Sequence, residues 1–189
     1  MKQSNTSKFA YIAGLIDGEG TIGIYKRSDK NKDYNSKGRG LSLYKLSISI
    51  GQKNGAMIDW LYGNFGGTIF KKEQVTTVPG NKKHYDHQMY EWKLNKIDEL
   101  EYLLKRIIPF LIEKKSQAQI ALEFLYKHKQ VGKTGRQYGF ITKYPEDVIV
   151  NWKKFAEKKS KELKEEKKKF VSCAALETKL IESSSEDKL

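Results

Sequence analysis

The stretch Phe9–Gly20, FAYIAGLIDGEG, decides the architecture. It predicts a short helix that ends in two carboxylates among glycines. Ala10, Ala13, Gly14 and Asp17 follow helical i, i+3, i+4, i+7 spacing and are expected to share one narrow face. Phe9, Ile12, Leu15 and Ile16 load the other side with bulk. A stripe of Ala and Gly lets a second backbone approach very closely. The C-terminal end of a helix carries partial negative charge, so acids are disfavoured there. Asp17 and Glu19 stand there nonetheless, and a bound divalent cation is the most economical reason.

Outward from this stretch, period-2 alternation takes over. Thr21–Arg27 reads as a half-buried strand, with Ile22 and Ile24 opposed to Thr21, Gly23, Tyr25 and Arg27. A polar loop over 28–40 leads to a second strand, Leu43–Gln52, with Leu46, Ile48 and Ile50 on one face and Lys45, Ser47 and Ser49 on the other. Asn54–Phe65 reads as a helix stopped by Gly66-Gly67. Thr68–Glu73 and His84–Leu94 form a second hairpin, its tip marked by Pro79-Gly80. In the first of these strands the outward face is open: Thr68, Phe70 and Lys72 alternate with Ile69 and Lys71.

Asn95 is expected to cap a third helix, with Asp98 in the capping-box position and Leu100, Leu103, Leu104 and Ile107 in its core. Pro109 ends it. A helix over 115–128, a basic and aromatic loop over 129–143 and a last helix opened by Pro145 follow. The expected division is a core over 1–128, a loop and basic helix over 129–170 packed on or extending it, and a mobile tail over 171–189. Two antiparallel hairpins with helices on one face give an α+β fold, not the βαβ alternation of a doubly wound sheet.

The chain has 189 residues and a net charge of +13, which favours a polyanionic partner. Residues 21–95 hold 13 Lys/Arg against 6 Asp/Glu, placing much of the surplus in the predicted strands. A second surplus lies in 153–170, where solvated helix faces would also account for it. No apolar run reaches the length of a membrane span, and MKQSNTSK lacks the apolar centre of a signal peptide. The lone Cys173 excludes an intrachain disulfide and a Cys-based zinc site.

The segment Ile12–Gly20, IAGLIDGEG, resembles the signature of the LAGLIDADG homing endonucleases, matching it in residue type except for Glu19 at the second acid. The resemblance covers about residues 5–125 and implies an αββαββα core with a saddle-shaped antiparallel sheet plus extra C-terminal helices. Only one copy of the motif is present, which implies a homodimer with Ala10, Ala13, Gly14 and Asp17 packed across a twofold axis and a pseudo-palindromic DNA target. By resemblance Glu19 is a Mg²⁺ ligand, Gly18 supplies a backbone carbonyl, and two or more ions per dimer are shared between the motif helices. Gln52 and Lys114 match a polar strand-end residue and a Lys of the related enzymes, with Lys115 as a register alternative; taken alone they read as a strand-end amide and a solvated lysine. The chain departs from some relatives at Ala56, where they carry a basic residue.

The outward strand residues Thr21, Tyr25, Arg27, Lys45, Ser47, Ser49, Phe70, Lys72, Met89, Glu91 and Lys93, with Arg39 in the loop, are the expected DNA contacts. The implied activity is double-strand cleavage of a long site in intron homing. A maturase acting on intron RNA and a DNA-binding relative that does not cut are the alternatives. Without a transit peptide, such a protein is expected to be encoded and made in a chloroplast or mitochondrion.

Overall fold

The computed structural model describes residues 5–26, 44–76, 84–137 and 146–186, with side chains over 5–26, 44–71, 88–131, 147–148 and 150–169. Arg27, Arg39 and the expected loop over 28–40 lie outside the described residues, as do 138–145, the second part of the expected loop over 129–143. The elements run α1 (Asn5–Glu19), β1 (Gly20–Lys26), β2 (Tyr44–Gln52), α2 (Gly55–Phe65), β3 (Thr68–Thr76), β4 (His84–Leu94), α3 (Ile97–Ile107), α4 (Lys115–Gln137) and α5 (Glu146–Glu186). The α+β class and the αββαββα order with extra C-terminal helices are thus present.

The four strands form one antiparallel sheet in the order β1-β2-β4-β3. Its helix-facing side is apolar because side chains alternate: Ile22, Ile24, Leu46, Ile48, Ile50, Trp92 and Leu94 are all buried. Helices α1 to α4 add Ile12, Ile16, Ile58, Leu61, Leu100, Leu103, Leu104, Ile107, Ala118, Ala121, Phe124 and Leu125 to one continuous core. Each fully buried Ile, Leu or Phe among them contributes about 1.5–3 kcal/mol relative to exposure.

Helix α2 begins and ends as its sequence requires. The Asn54 side chain accepts a hydrogen bond from the Ala56 N–H at 3.0 Å, and Gly66 (φ 71°) and Gly67 (φ 90°) take left-handed backbone that L side chains rarely adopt. The tight turn is tied to the sheet by Trp92, whose indole N–H donates to the Gly66 carbonyl at 2.7 Å.

Three boundaries differ from expectation. Lys96, not Asn95, is the N-cap of α3, and no side chain caps it. Asp98, expected in a capping box, instead forms an ion pair with Lys129 at 2.6 Å. Residues 129–137 continue α4 as helix rather than forming a loop: the helix, with Val131 buried, runs on through the two glycines that signal a break. Helix α5 continues from the basic segment through the expected tail to Glu186. Its Trp152, Ala156 and Leu163 join the same core as α1 to α4. Of the described residues, no helix is long and apolar enough to cross a membrane.

Candidate functional site

The site is built around the junction of α1 and β1, which meet without a loop: Glu19 is the last helical residue and Gly20 the first of the strand. Only glycine fits at that corner. A Cβ on Gly20 would stand 2.6 Å from the Ile16 Cα and 2.9 Å from the Ile16 carbonyl oxygen. The junction therefore holds Glu19 at a fixed place at the end of β1. Gly20 pairs with Ile50 of β2, which brings Gln52, two residues on, to the same end of the sheet.

There the Gln52 side-chain amide donates a hydrogen bond to Glu19 Oε2. Glu19 is exposed and Gln52 half-buried, so the carboxylate is oriented by one donor and open to solvent on its other side. Gly18 is exposed, and the space where a Cβ would project is empty to 4 Å. Glu19 and the Gly18 carbonyl are hard oxygen donors, the type suited to Mg²⁺, which keeps several of its waters. Among the described residues no group of three or more His, Cys, Asp or Glu could enclose a metal ion. One chain thus offers part of a coordination sphere, which fits a partly hydrated cation and does not fit a fully protein-enclosed one.

Asp17 behaves differently. Its carboxylate accepts hydrogen bonds from the backbone N–H groups of Ile112 (2.7 Å) and Lys114 (2.9 Å), in the turn that opens α4. The acid serves as a long-range cap for a segment nearly a hundred residues away. Lys114 completes the exchange: its ammonium donates to the carbonyls of Ile16 (2.7 Å) and Asp17 (2.5 Å). A cation on these unpaired carbonyls offsets the negative helix end. Burial pushes the Lys114 pKa below that of an ordinary lysine, against the opposing pull of Asp17 and Glu113. The resemblance matches Lys114, with Lys115 as a register alternative; in the structure Lys114 reaches the end of α1, while Lys115 is exposed as the first residue of α4.

The small face expected on α1 does not form as drawn. Ala10 and Gly14 are exposed, but Ala13 is fully buried within its own chain. Ala13 lies three residues before Ile16 and one after Ile12, both 0% exposed, and the core extends far enough round the helix to include it. Asp17, with both oxygens occupied within the chain, is likewise turned inward. The exposed face is Ala10, Gly14 and Gly18, flanked by Tyr11, which packs edge-on against Trp60 at 5.0 Å.

The open side of the sheet carries most of the expected outward residues. Thr21 pairs with Ser49, Ser49 with Lys93, and Lys93 with Thr68. Paired residues share a face, so the undecided orientation of β3 is resolved: Phe70 opposes Glu91 and Lys72 opposes Met89, on the same side as Lys93. Phe70, at 42% exposed, is an apolar residue on a polar surface; the side chain of Lys72 lies outside the described ones. Tyr25 and Lys45 oppose one another and are exposed. Ser47 is a correction. It is 5% exposed, because the Tyr25 ring folds back over its cross-strand neighbour Gly23, coming within 2.3 Å of where a Cβ there would stand. The Lys93 ammonium lies 5.9 Å from the centre of that ring.

No family model matches the chain, and no curated protein sequence matches it. Among solved structures it is similar to the archaeal intron-encoded homing endonuclease I-Vdi141I complexed with DNA (18% identity, TM-score 0.53, 84% of this chain and 86% of that one). It is also similar to the homing endonuclease I-CvuI in complex with its target in the presence of Ca (21% identity, TM-score 0.50, 82% and 80%). A third, the meganuclease I-SmaMI bound to uncleavable DNA, matches at 12% identity and TM-score 0.51 over 79% of this chain and 43% of its own. The fold is that of the LAGLIDADG homing endonucleases.

Proposed function

We propose that the chain is a site-specific DNA endonuclease of the homing type, hydrolysing phosphodiester bonds in both strands of a long pseudo-palindromic target as a Mg²⁺-dependent homodimer. The observation that carries this reading is the hydrogen bond from Gln52 to Glu19 at the end of a basic, open sheet. Glu19 and the Gly18 carbonyl would hold the cation. When bound, the metal supplies an acidified water and charge for the departing 3′-oxygen. Gln52 fixes the direction of the Glu19 carboxylate. Lys114 holds the end of α1 and adds positive charge beside the phosphate. Thr21, Tyr25, Lys45, Ser49, Phe70, Met89, Glu91 and Lys93 face the major groove, where Lys can donate to guanine and Glu can accept from cytosine.

The exposed face of α1 supports the dimer. Glycine costs a helix about 1 kcal/mol against alanine, and among the described residues nothing comes within 4 Å of a Cβ at Gly14. A second α1 crossing close to the first would use that open, small position. Two copies would also bring two Glu19 carboxylates together, a repulsion that shared cations neutralise. The RNA-splicing alternative has weaker support. Of its two basic segments, 129–137 is helical, and Lys159 on the other is held by Glu123 at 2.5 Å and Glu162 at 2.8 Å.

Selection of cleaved sequences from a randomised duplex library in Mg²⁺ tests activity and symmetry together. Recovery of one site with approximate twofold symmetry is the expected result. No cleavage of any member by the wild-type chain, or cleavage unchanged by Glu19→Gln, would overturn the assignment.

A further inference from the structure

Helix α5 runs antiparallel to α4. Near its start Trp152 packs at a tilt against Phe124, with ring centroids 5.2 Å apart, and farther along Lys159 reaches Glu123. Ser160 Oγ then donates to the Ile24 carbonyl at 3.0 Å, pinning α5 to the edge strand β1. The inward stripe of α5 is Trp152, Ala156 and Leu163, all at most 2% exposed. Four residues beyond Leu163 the same stripe reaches Lys167, which is half-buried. A lysine stands where the pattern would place another apolar residue.

The antiparallel course carries Lys167 to the beginning of α4, beside Lys114. Burial pushes the Lys167 pKa down, and the charge of Lys114 pushes it further in the same direction. One turn along α4 from Lys114, the side chain of Gln117 is 3% exposed, and its amide oxygen has no hydrogen-bond partner. The α4–α5 contact, apolar at Phe124 and Trp152, has become polar where it meets the end of α1. Among the described residues, Lys158, Lys159 and Lys169 of α5 each have a Glu partner; of the α5 lysines without one, Lys153, Lys154, Lys161, Lys164 and Lys168 are exposed and Lys167 alone is half-buried. Two ammonium groups drawn together out of solvent repel each other, and a shared anion removes that cost.

We propose that Lys167 and Lys114 together grip a backbone phosphate of the DNA next to Glu19, with Lys167 the phosphate-binding residue contributed by the C-terminal helix. The inference rests on the nuclease reading for the identity of the anion. It gives α5 a part in the reaction beyond covering the edge of β1.

The test uses the full chain and the duplex recovered by selection, or a generic duplex if none is cut. Single-turnover cleavage at saturating enzyme should fall about 100-fold in Lys167→Ala, the lower end of the range for losing one donor to developing charge. Lys167→Arg should restore most of the rate. The slope of log K against log salt, measured in Ca²⁺, should flatten by about 0.9 in Lys167→Ala, one phosphate contact. Lys168→Ala, an exposed lysine on another face of the helix, should leave the saturated rate unchanged. A Lys167→Ala protein with wild-type rate and slope overturns the proposal, as does an equal loss in Lys168→Ala, which would indicate bulk charge only. If the wild type does not cut, the nuclease reading fails, while the difference in salt slope still decides Lys167. Thermal melting of each variant separates lost grip from lost fold.

Discussion

The two sides of α1 obey different rules. On its inner side, Ile12, Ala13 and Ile16 are 0% exposed and fully accounted for by the core they fill. On its outer side, Ala10, Gly14 and Gly18 are exposed and small, and among the described residues Gly14 and Gly18 have nothing within 4 Å of the place of a Cβ. The same division separates the two acids. Asp17 caps the turn before α4, and Glu19 points outward with Gln52 as its donor. The difference teaches that burial within the core explains one half of the helix, and that the small exposed half is the part the proposed dimer would use.

Substitutions can break this contrast in order of size. Glu19→Gln is expected to abolish cleavage, a loss of more than about 10³-fold, if the carboxylate holds the metal. Its melting temperature should stay at or slightly above that of the wild type, because an exposed charge has been removed. Asp17→Ala is the opposite case. It removes the acceptor of two backbone N–H groups, one exposed and one part-buried, and the ammonium of Lys114 loses a nearby anion, so unfolding free energy in urea should fall by about 1–3 kcal/mol. A variant that melts like the wild type would mean the cap contributes little.

Neighbouring positions 13 and 14 give the finest comparison. Ala13→Leu forces three more carbons into a filled core and should cost about 1–3 kcal/mol by denaturant titration. Gly14→Ala should stabilise the isolated chain by up to about 1 kcal/mol, yet weaken self-association by sedimentation, since the added methyl separates two crossing helices. Should Gly14→Ala leave association untouched, the dimer uses a different surface.

Much of this was legible from residue pattern. The Gly66-Gly67 stop, the strand His84–Leu94 and the placement of Gln52 near Glu19 follow from turn chemistry, alternation and the motif. What escaped depends on contacts between distant residues. The partners of Asp17 lie at 112 and 114, on a turn whose position no local pattern encodes. Ser47 alternates correctly as an outward residue, and is buried only because Tyr25 folds over the bare backbone of Gly23. Ala13 looked outward because small residues were grouped by size, whereas burial follows the width of the core. In α4, glycines at 132 and 135 read as a loop signal, but a helix tolerates isolated glycines and this one runs through both to Gln137.

The absence of a loop between α1 and β1 has a mechanical consequence. Glu19 and Thr21 are separated by one glycine that has no room to flex against Ile16. A tilt of the helix is thereby transmitted to the first residue of the strand, and a displacement of the strand returns to the carboxylate. Under the proposed function, in which β1 reads bases and Glu19 holds the metal, recognition and chemistry would be linked by a rigid lever. A change of target sequence that shifts Thr21 by a fraction of an ångström is felt directly at the bond to be broken, so altered specificity at this end of the sheet should register first as a change in cleavage rate rather than in binding.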